Sequence, residues 1–496
     1  MAKAGSSRGK KLLYYLRQMN PEELRQFSHW LASPLHENSP QLAAMLEILA
    51  HHLAHTPDAP LVASTFAPAL SSDEPFAPEK ASYIWIRLAA LQSALYDFLA
   101  WEQAQTDTQL RHRNLFAALR RRGWDRYLPQ IYKTALRELP APPQALRFEA
   151  ELGLETEMSA YLASEAAHGE DKHLDRVHRS LDYYFLLQKV KYACGGILEG
   201  DPGADPSQSA MLKAVLAYTG EHLNELPGVL VAYWNVFEML HHEIRGDKEW
   251  AAELFLQFDA LFRNPTDFSP EEAVDLFIHG QNFCILRYRQ GDGRFVDHLL
   301  SLYERVLDSR AIFKDGQLSG QFYKNTVELM ARLGRLTWAE QFVETYRNAI
   351  RHDSEAVIYR YNLAVIRFFQ QDYRAAVNRL YNIISALDRF NMGVGARVYF
   401  CRSLWEAGEY DWLNSGLRAF DQHLRRNRNT KAGDPGFYRE FVAFLRRASN
   451  AVTGNPSKKV PKLEALQEEL AEAGSQNHFR WIRQKVSEQL AGETRS

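Results

Sequence analysis

The chain is poor in cysteine and has no long apolar run, no strong net charge and no strand-like alternation, and each deficit excludes something. Three cysteines in 496 residues, Cys194, Cys284 and Cys401, lie too far apart for a paired framework or a metal-type spacing. That count suits a reducing compartment, and the cytoplasm is the expected location. No segment approaches ~20 uninterrupted apolar residues, so no spanning helix and no membrane insertion are expected. The basic, polar start Met-Ala-Lys-Ala-Gly-Ser-Ser-Arg-Gly-Lys carries no apolar stretch of signal-peptide length behind it. A formal charge of −2 provides no global field toward nucleic acid or an anionic membrane. Runs of alternating apolar and polar residues bounded by turn signals are essentially missing, which removes sheet-based folds.

What is present is helical periodicity. Apolar residues make up 46% and charged residues 24%, the balance of an ordinary folded protein, and apolar positions recur every three or four residues almost throughout. Prolines fall between the periodic runs. The clearest start signal is Asn20-Pro21-Glu22-Glu23, a capping side chain followed by proline and acids in the first turn. The expected class is all-α. Helices over 10–19, 21–33, 40–55 and 79–104 form an N-terminal domain spanning 1–105. Between the last two lies an irregular stretch, Thr56 to Pro78, whose Phe66 and Phe76 predict that it is pinned to the helices.

From residue 106 to 450 the chain repeats itself. Tyr361-Asn362-Leu363-Ala364, Phe368, Asp372-Tyr373, Ala376, Leu380 and Ile383 make one helix–turn–helix unit. The next has Phe400, Cys401, Leu404, Trp405, Gly408-Glu409-Tyr410, Leu413, Leu417 and Phe420 in the same places, and the preceding one has Val327, Met330, Gly334, Ala339, Val343 and Tyr346. The turn positions Gly334, Gln371 and Gly408 are 37 residues apart. Gly291, Gly246 and, in an isolated unit, Gly123 fit the same role. No single hairpin of this kind buries its apolar face, so stacking of neighbours is required. Residues 140–260 are helical but poorly in register. The final segments, 461–473 and 476–491 within a C-terminal region 461–492, have the amphipathic pattern of capping helices.

At these residues the chain resembles the tetratricopeptide-repeat (TPR) family, best over 357–385 and less closely over 320–350 and 394–422. The early Trp and the terminal Pro of that family are absent. The resemblance implies a TPR-like α-hairpin superhelix following the N-terminal domain. The run Phe27…Trp30-Leu31…Ser33-Pro34 is similar to the start of uncharacterised helical proteins of Bacteroidota, which implies no function.

An asparagine recurs nine residues before the turn: Asn114, Asn282, Asn325 and Asn362. Asparagine costs roughly 0.6 kcal/mol in a helix interior relative to Ala, so its recurrence needs a reason. In the TPR family this position faces a concave groove, where an amide can bracket a peptide unit with donor and acceptor together. The same register serves equally to bond the neighbouring repeat. Four such contacts at ~1 kcal/mol each fall short of the ~8 kcal/mol of micromolar binding. Charge can supply the remainder: Arg287 and Arg367 follow their Asn by five residues, and Arg360 and Arg402 lie nearby. Guanidinium groups on such a face favour an acidic peptide, a C-terminal carboxylate or a phosphate. Five residues is about 140° of helix rotation, so Asn and Arg need not share one face.

Other constellations carry less. The zone 418–447 holds Arg418, Arg425, Arg426, Arg428, Lys431, Arg439, Arg446 and Arg447 against Asp421, Asp434 and Glu440, interleaved with Phe437, Tyr438 and Phe441. It is the basis of an alternative reading as a regulatory protein that binds nucleic acid or an acidic partner. His51-His52…His55 has one-turn spacing but no acid or cysteine to complete a metal site, and His241-His242-Glu243 is equally incomplete. Cys284 and Cys401 occupy the slot that Ala364 fills, a packing position. Gly195-Gly196 and Gly291-Asp292-Gly293 lack the Lys and Ser/Thr of a phosphate loop. The expectation is a non-catalytic scaffold or adaptor without cofactor or metal. Its groove residues would be Asn282, Asn325, Asn362, Arg360, Arg367 and Arg402, and its partner a peptide or protein in preference to nucleic acid.

Overall fold

The structure is a computed structural model describing residues 8–33, 40–55, 62–70, 80–124, 126–141, 144–164, 172–197, 199–350, 355–390, 392–426, 435–472 and 477–493. Among the described residues there are 22 α-helices and no β-strand, and no helix is long and apolar enough to cross a membrane. The first nine are α1 (Arg8–Leu16), α2 (Pro21–Leu31), α3 (Pro40–His55), α4 (Lys80–Thr106), α5 (Thr108–Arg121), α6 (Leu128–Arg137), α7 (Ala145–Ser164), α8 (Lys172–Ile197) and α9 (Ala210–Glu221). Then come α10 (Gly228–Arg245), α11 (Lys248–Leu261), α12 (Pro270–Arg289), α13 (Phe295–Asp308), α14 (Gly320–Arg332), α15 (Leu336–Thr345) and α16 (Glu355–Phe369). The last six are α17 (Tyr373–Tyr381), α18 (Gly393–Glu406), α19 (Tyr410–Arg426), α20 (Pro435–Val452), α21 (Lys459–Glu472) and α22 (Asn477–Glu493).

The chain divides into two compact units, 1–231 and 232–496, and the boundary falls inside α10. In the first unit, α1 to α4 bury a common core that includes Leu12, Phe27, Leu49, Leu91 and Phe98. A second cluster joins Phe116, Leu128, Tyr132 and Leu154 of α5 to α7. The sequence boundary near 105 separates these two cores and not the two units. Asn20 forms the expected capping box: its Oδ1 accepts from the Glu23 amide at 2.9 Å, and its own amide donates to Glu23 Oε2 at 2.6 Å. In the stretch 56–78, Phe66 is fully buried on a 3-10 turn spanning Ala63–Leu70; Phe76 lies outside the described residues.

In the second unit, each helix from α14 to α22 packs on its neighbour, and α14 also meets α16, α16 meets α18 and α20 meets α22. The repeat positions read from sequence are the buried ones: Val327, Met330, Ala339, Val343, Ala364, Ala376, Leu380, Leu404, Leu413, Leu417 and Phe420 are all inaccessible. Small residues let helices approach closely. A Cβ on Gly280 would come within 2.8 Å of the Phe258 ring.

The hairpins turn by one backbone device. Gly123, Gly246, Gly291, Gly334, Gln371 and Gly408, the six turn positions, all have left-handed φ, between 65° and 100°. In each, the following residue's amide bonds the carbonyl five back, as in Arg335 to Met330 at 2.9 Å, Asp372 to Arg367 at 2.9 Å and Glu409 to Leu404 at 3.0 Å. These bonds satisfy carbonyls that the helix end would otherwise orphan.

Candidate functional site

The asparagine register is divided. Asn114, Asn282 and Asn325 are exposed on α5, α12 and α14, and the Asn325 Oδ1 accepts from Gln321 Nε2 at 2.8 Å. Asn362 is the exception and a correction. It is fully buried, and its Nδ2 donates to its own helix at the Ile358 carbonyl, 2.9 Å away. It faces the packing of its hairpin and presents no amide to a groove.

The arginines part in the same way. Arg360 is exposed on α16. Arg367 donates to Gln370 Oε1 at 2.7 Å, helping to close the α16–α17 turn. Arg287 is buried, ion-paired with Glu243 at 3.2 Å and Asp292 at 3.3 Å. Arg402 alone of the group enters a shared cluster, in which α14, α16, α18 and α22 converge. Its guanidinium packs against Phe368 (4.8 Å to the ring centroid) and Trp481 (4.7 Å). Arg332 of α14 lies against the Tyr399 hydroxyl.

Around these two arginines the other charges are paired. Lys324 Nζ lies 3.0 Å from Glu328, which also accepts from the buried Tyr361 hydroxyl. Lys485 Nζ lies 3.0 Å from Glu406 and 2.8 Å from Glu488, and the Trp481 indole donates to Glu406 at 3.0 Å. Burial pushes the Tyr399 hydroxyl up to about 12, so it stays protonated. Burial pulls Arg402 down to about 10, the tax on a desolvated cation. Arg332, Trp481 and Lys485 escape sequence reasoning because they meet only when α22 folds back on α18.

A second feature lies between α17 and α19 over α18. Tyr381, Phe400 and Trp412 form a trio with centroids 5.6 to 6.4 Å apart, lining a cleft of about 530 Å³ together with Arg397, Ser415 and Gly416. Tyr381 is 59% exposed and Trp412 38%, so both rings are open to a partner. Gly416 keeps the cleft open, since a Cβ there would reach 3.3 Å from Phe400. Arg397 is held by Asp388 at 2.6 and 3.0 Å, and so contributes no free charge. The rings gave no distinctive signal in the sequence, because Trp250 and Trp338 stand four residues after their turns as Trp412 does, and Phe283 precedes its turn by eight as Phe400 does; nothing there indicated that α17 and α19 leave a cleft between them.

The remaining constellations include packing contacts, while in the basic zone Arg418, Arg426 and Arg439 are exposed. Glu155, fully buried, accepts from the Tyr132 hydroxyl, His173 Nδ1 at 2.6 Å and Arg176 at 3.4 Å, tying α6, α7 and α8 together. His51 and His55 stack with centroids 4.1 Å apart. Cys284 and Cys401 are buried, and burial raises both thiols, Cys401 to about 12, far from a reactive thiolate. In the basic zone, Arg447 pairs with Glu469 at 2.5 Å, Arg425 with Asp421 at 2.9 Å, and Arg446 donates to the Leu417 carbonyl. Phe441 is core. Arg428, Lys431 and Asp434 lie outside the described residues.

No family model matches the chain, and no curated protein or solved structure matches it either.

Proposed function

We propose that the chain is a non-catalytic scaffold of the cytoplasm, a TPR-like superhelix of α-hairpins that binds a peptide or protein partner. The observation that carries this reading is the open aromatic cleft between α17 and α19. Three rings around a gap of side-chain size offer a bulky apolar residue of the partner a large burial at low entropy cost. Asn282 and Asn325 are exposed on α12 and α14, where their amides can bond a partner's backbone. The basic zone lends itself less to a nucleic-acid surface, because two of its cations, Arg425 and Arg447, are already paired.

The test is affinity capture with the full chain followed by titration of the recovered partner. Trp412→Ala and Tyr381→Ala should each weaken binding at least tenfold, in the range of interface anchors. Gly416→Leu should fill the cleft and act likewise. Affinity unchanged in all three variants would refute the cleft as the binding site.

A further inference from the structure

The helix α8 is apolar on two opposite sides. Leu186, Leu187, Val190 and Ala193 are buried, with α8 packed along α7. On the other side Leu174, Leu181, Phe185 and Tyr192 are between 43% and 75% exposed. Together with the exposed His178 and the half-buried Gln188 they form one straight seam, at 174, 178, 181, 185, 188 and 192. Those steps of four and three are the spacing of helices that pair along their length. A surface helix with one core-facing stripe carries polar residues there instead, so a row of large exposed apolar side chains marks a contact. The seam is ~27 Å long at 1.5 Å per residue. Its flank changes sign along the helix: Asp175 and Asp182 stand beside the N-terminal half, and Lys189 follows one heptad later on the same line.

We propose that this face of α8 binds a second copy of the chain, whose own α8 lies antiparallel to it about a two-fold axis at the level of Tyr183. In that register Leu174 meets Tyr192 of the second copy, His178 meets Gln188, and Leu181 meets Phe185. Apolar groups then face apolar groups, and the two polar positions face each other. The same register sets Asp175 against Lys189, and the two-fold axis makes that contact twice. A parallel pairing has no such match, because it brings Asp182 to Val177 and Lys189 to Tyr184. The helix is therefore complementary in charge to its own reversed copy. A cleft of about 330 Å³, lined by Phe185, Gln188, Tyr192 and Ala204, receives the incoming Leu174. Asp182 falls opposite itself at the axis and is the adverse contact of the arrangement. The pairing involves neither α17 nor α19 and needs no other partner, so it stands or fails apart from the aromatic cleft.

The experiment is sedimentation velocity of the full-length protein over a concentration series. The protein should sediment as a dimer that dissociates on dilution. Leu181→Glu, with native helix content by circular dichroism, should weaken the dimer at least tenfold, since it places a charge in the central layer. Asp175→Lys should also weaken it at least tenfold, because two attractions become two repulsions. Adding Lys189→Asp to that variant should restore the wild-type dissociation constant, a rescue that only the antiparallel register predicts. Asp182→Asn should tighten the dimer. If Leu181→Glu fails to fold, the charge-swap series, on the polar flank, decides alone. A monomer at every concentration up to about 100 μM, an assembly larger than a dimer, a dimer indifferent to Leu181→Glu and Asp175→Lys, or a double swap that does not restore pairing would each overturn the proposal.

Discussion

Gln371 stands where five other turns have glycine, at φ 65°, a region that costs an L-residue roughly 1–2 kcal/mol. Replacing it with glycine removes that strain but adds about 0.5–1 kcal/mol of unfolded-state freedom. Gln371→Gly should therefore stabilise by about 0.5–1 kcal/mol. Gly408→Ala should cost about 1 kcal/mol, since a Cβ there meets nothing and only backbone strain is at stake. Urea unfolding of both variants checks the pair; a stabilising Gly408→Ala would contradict the left-handed geometry. The turn residues were legible in the sequence because they answer to backbone conformation alone. The role of Asn362 was not. Its register matches Asn325, yet its burial follows from tertiary surroundings that no local pattern encodes.

At the scale of elements, α19 presents His423 to Asp388, 3.5 Å away on the 3-10 turn Ala386–Phe390, and to Arg397 of α18. Burial, then Arg397, lowers the affinity of His423 for a proton, against the pull of Asp388. The neutral imidazole is thus favoured in the fold. Its contribution is complete above the ordinary histidine value of about 6.5 and is lost as the pH falls through that value toward the depressed one. Stability should drop between pH 7.5 and 5.5, and His423→Gln should drop less; denaturation midpoints across that range decide it, and an equal slope in both proteins would exclude His423 as the cause. Helix limits were largely readable, since α3 and the start of α2 coincide with their capping and proline signals. Helix partners were not. The convergence of α22 on α18 depends on Trp481 finding Glu406 across 75 residues, a choice made by shape and desolvation.

For the molecule as a whole, the all-helical class followed from periodicity, while the division at 231/232 did not. It lies within the helix α10, a few residues past Pro227-Gly228, which mark a helix start and not a division between units. In the second unit the helices that pack most closely are near one another in sequence order, so the stability of that region should be a sum of local interfaces and not one global cooperative term. Amide hydrogen exchange should accordingly show graded protection among hairpins in the second unit. Uniform protection across α11 to α22 would indicate a single cooperative body instead.

The fold-back of α22 acquires a mechanical meaning in such an array. Trp481 and Lys485 fasten the C-terminal helix to Glu406, closing a loop over α19, α20 and α21. Tension on the C-terminus meets this latch before it reaches any of the hairpins within the loop. Once it yields, a hairpin of the 37-residue spacing should release about 130 Å of chain at ~3.5 Å per residue. The molecule would then pay out in steps, with its first resistance set by an indole and an ammonium on one glutamate.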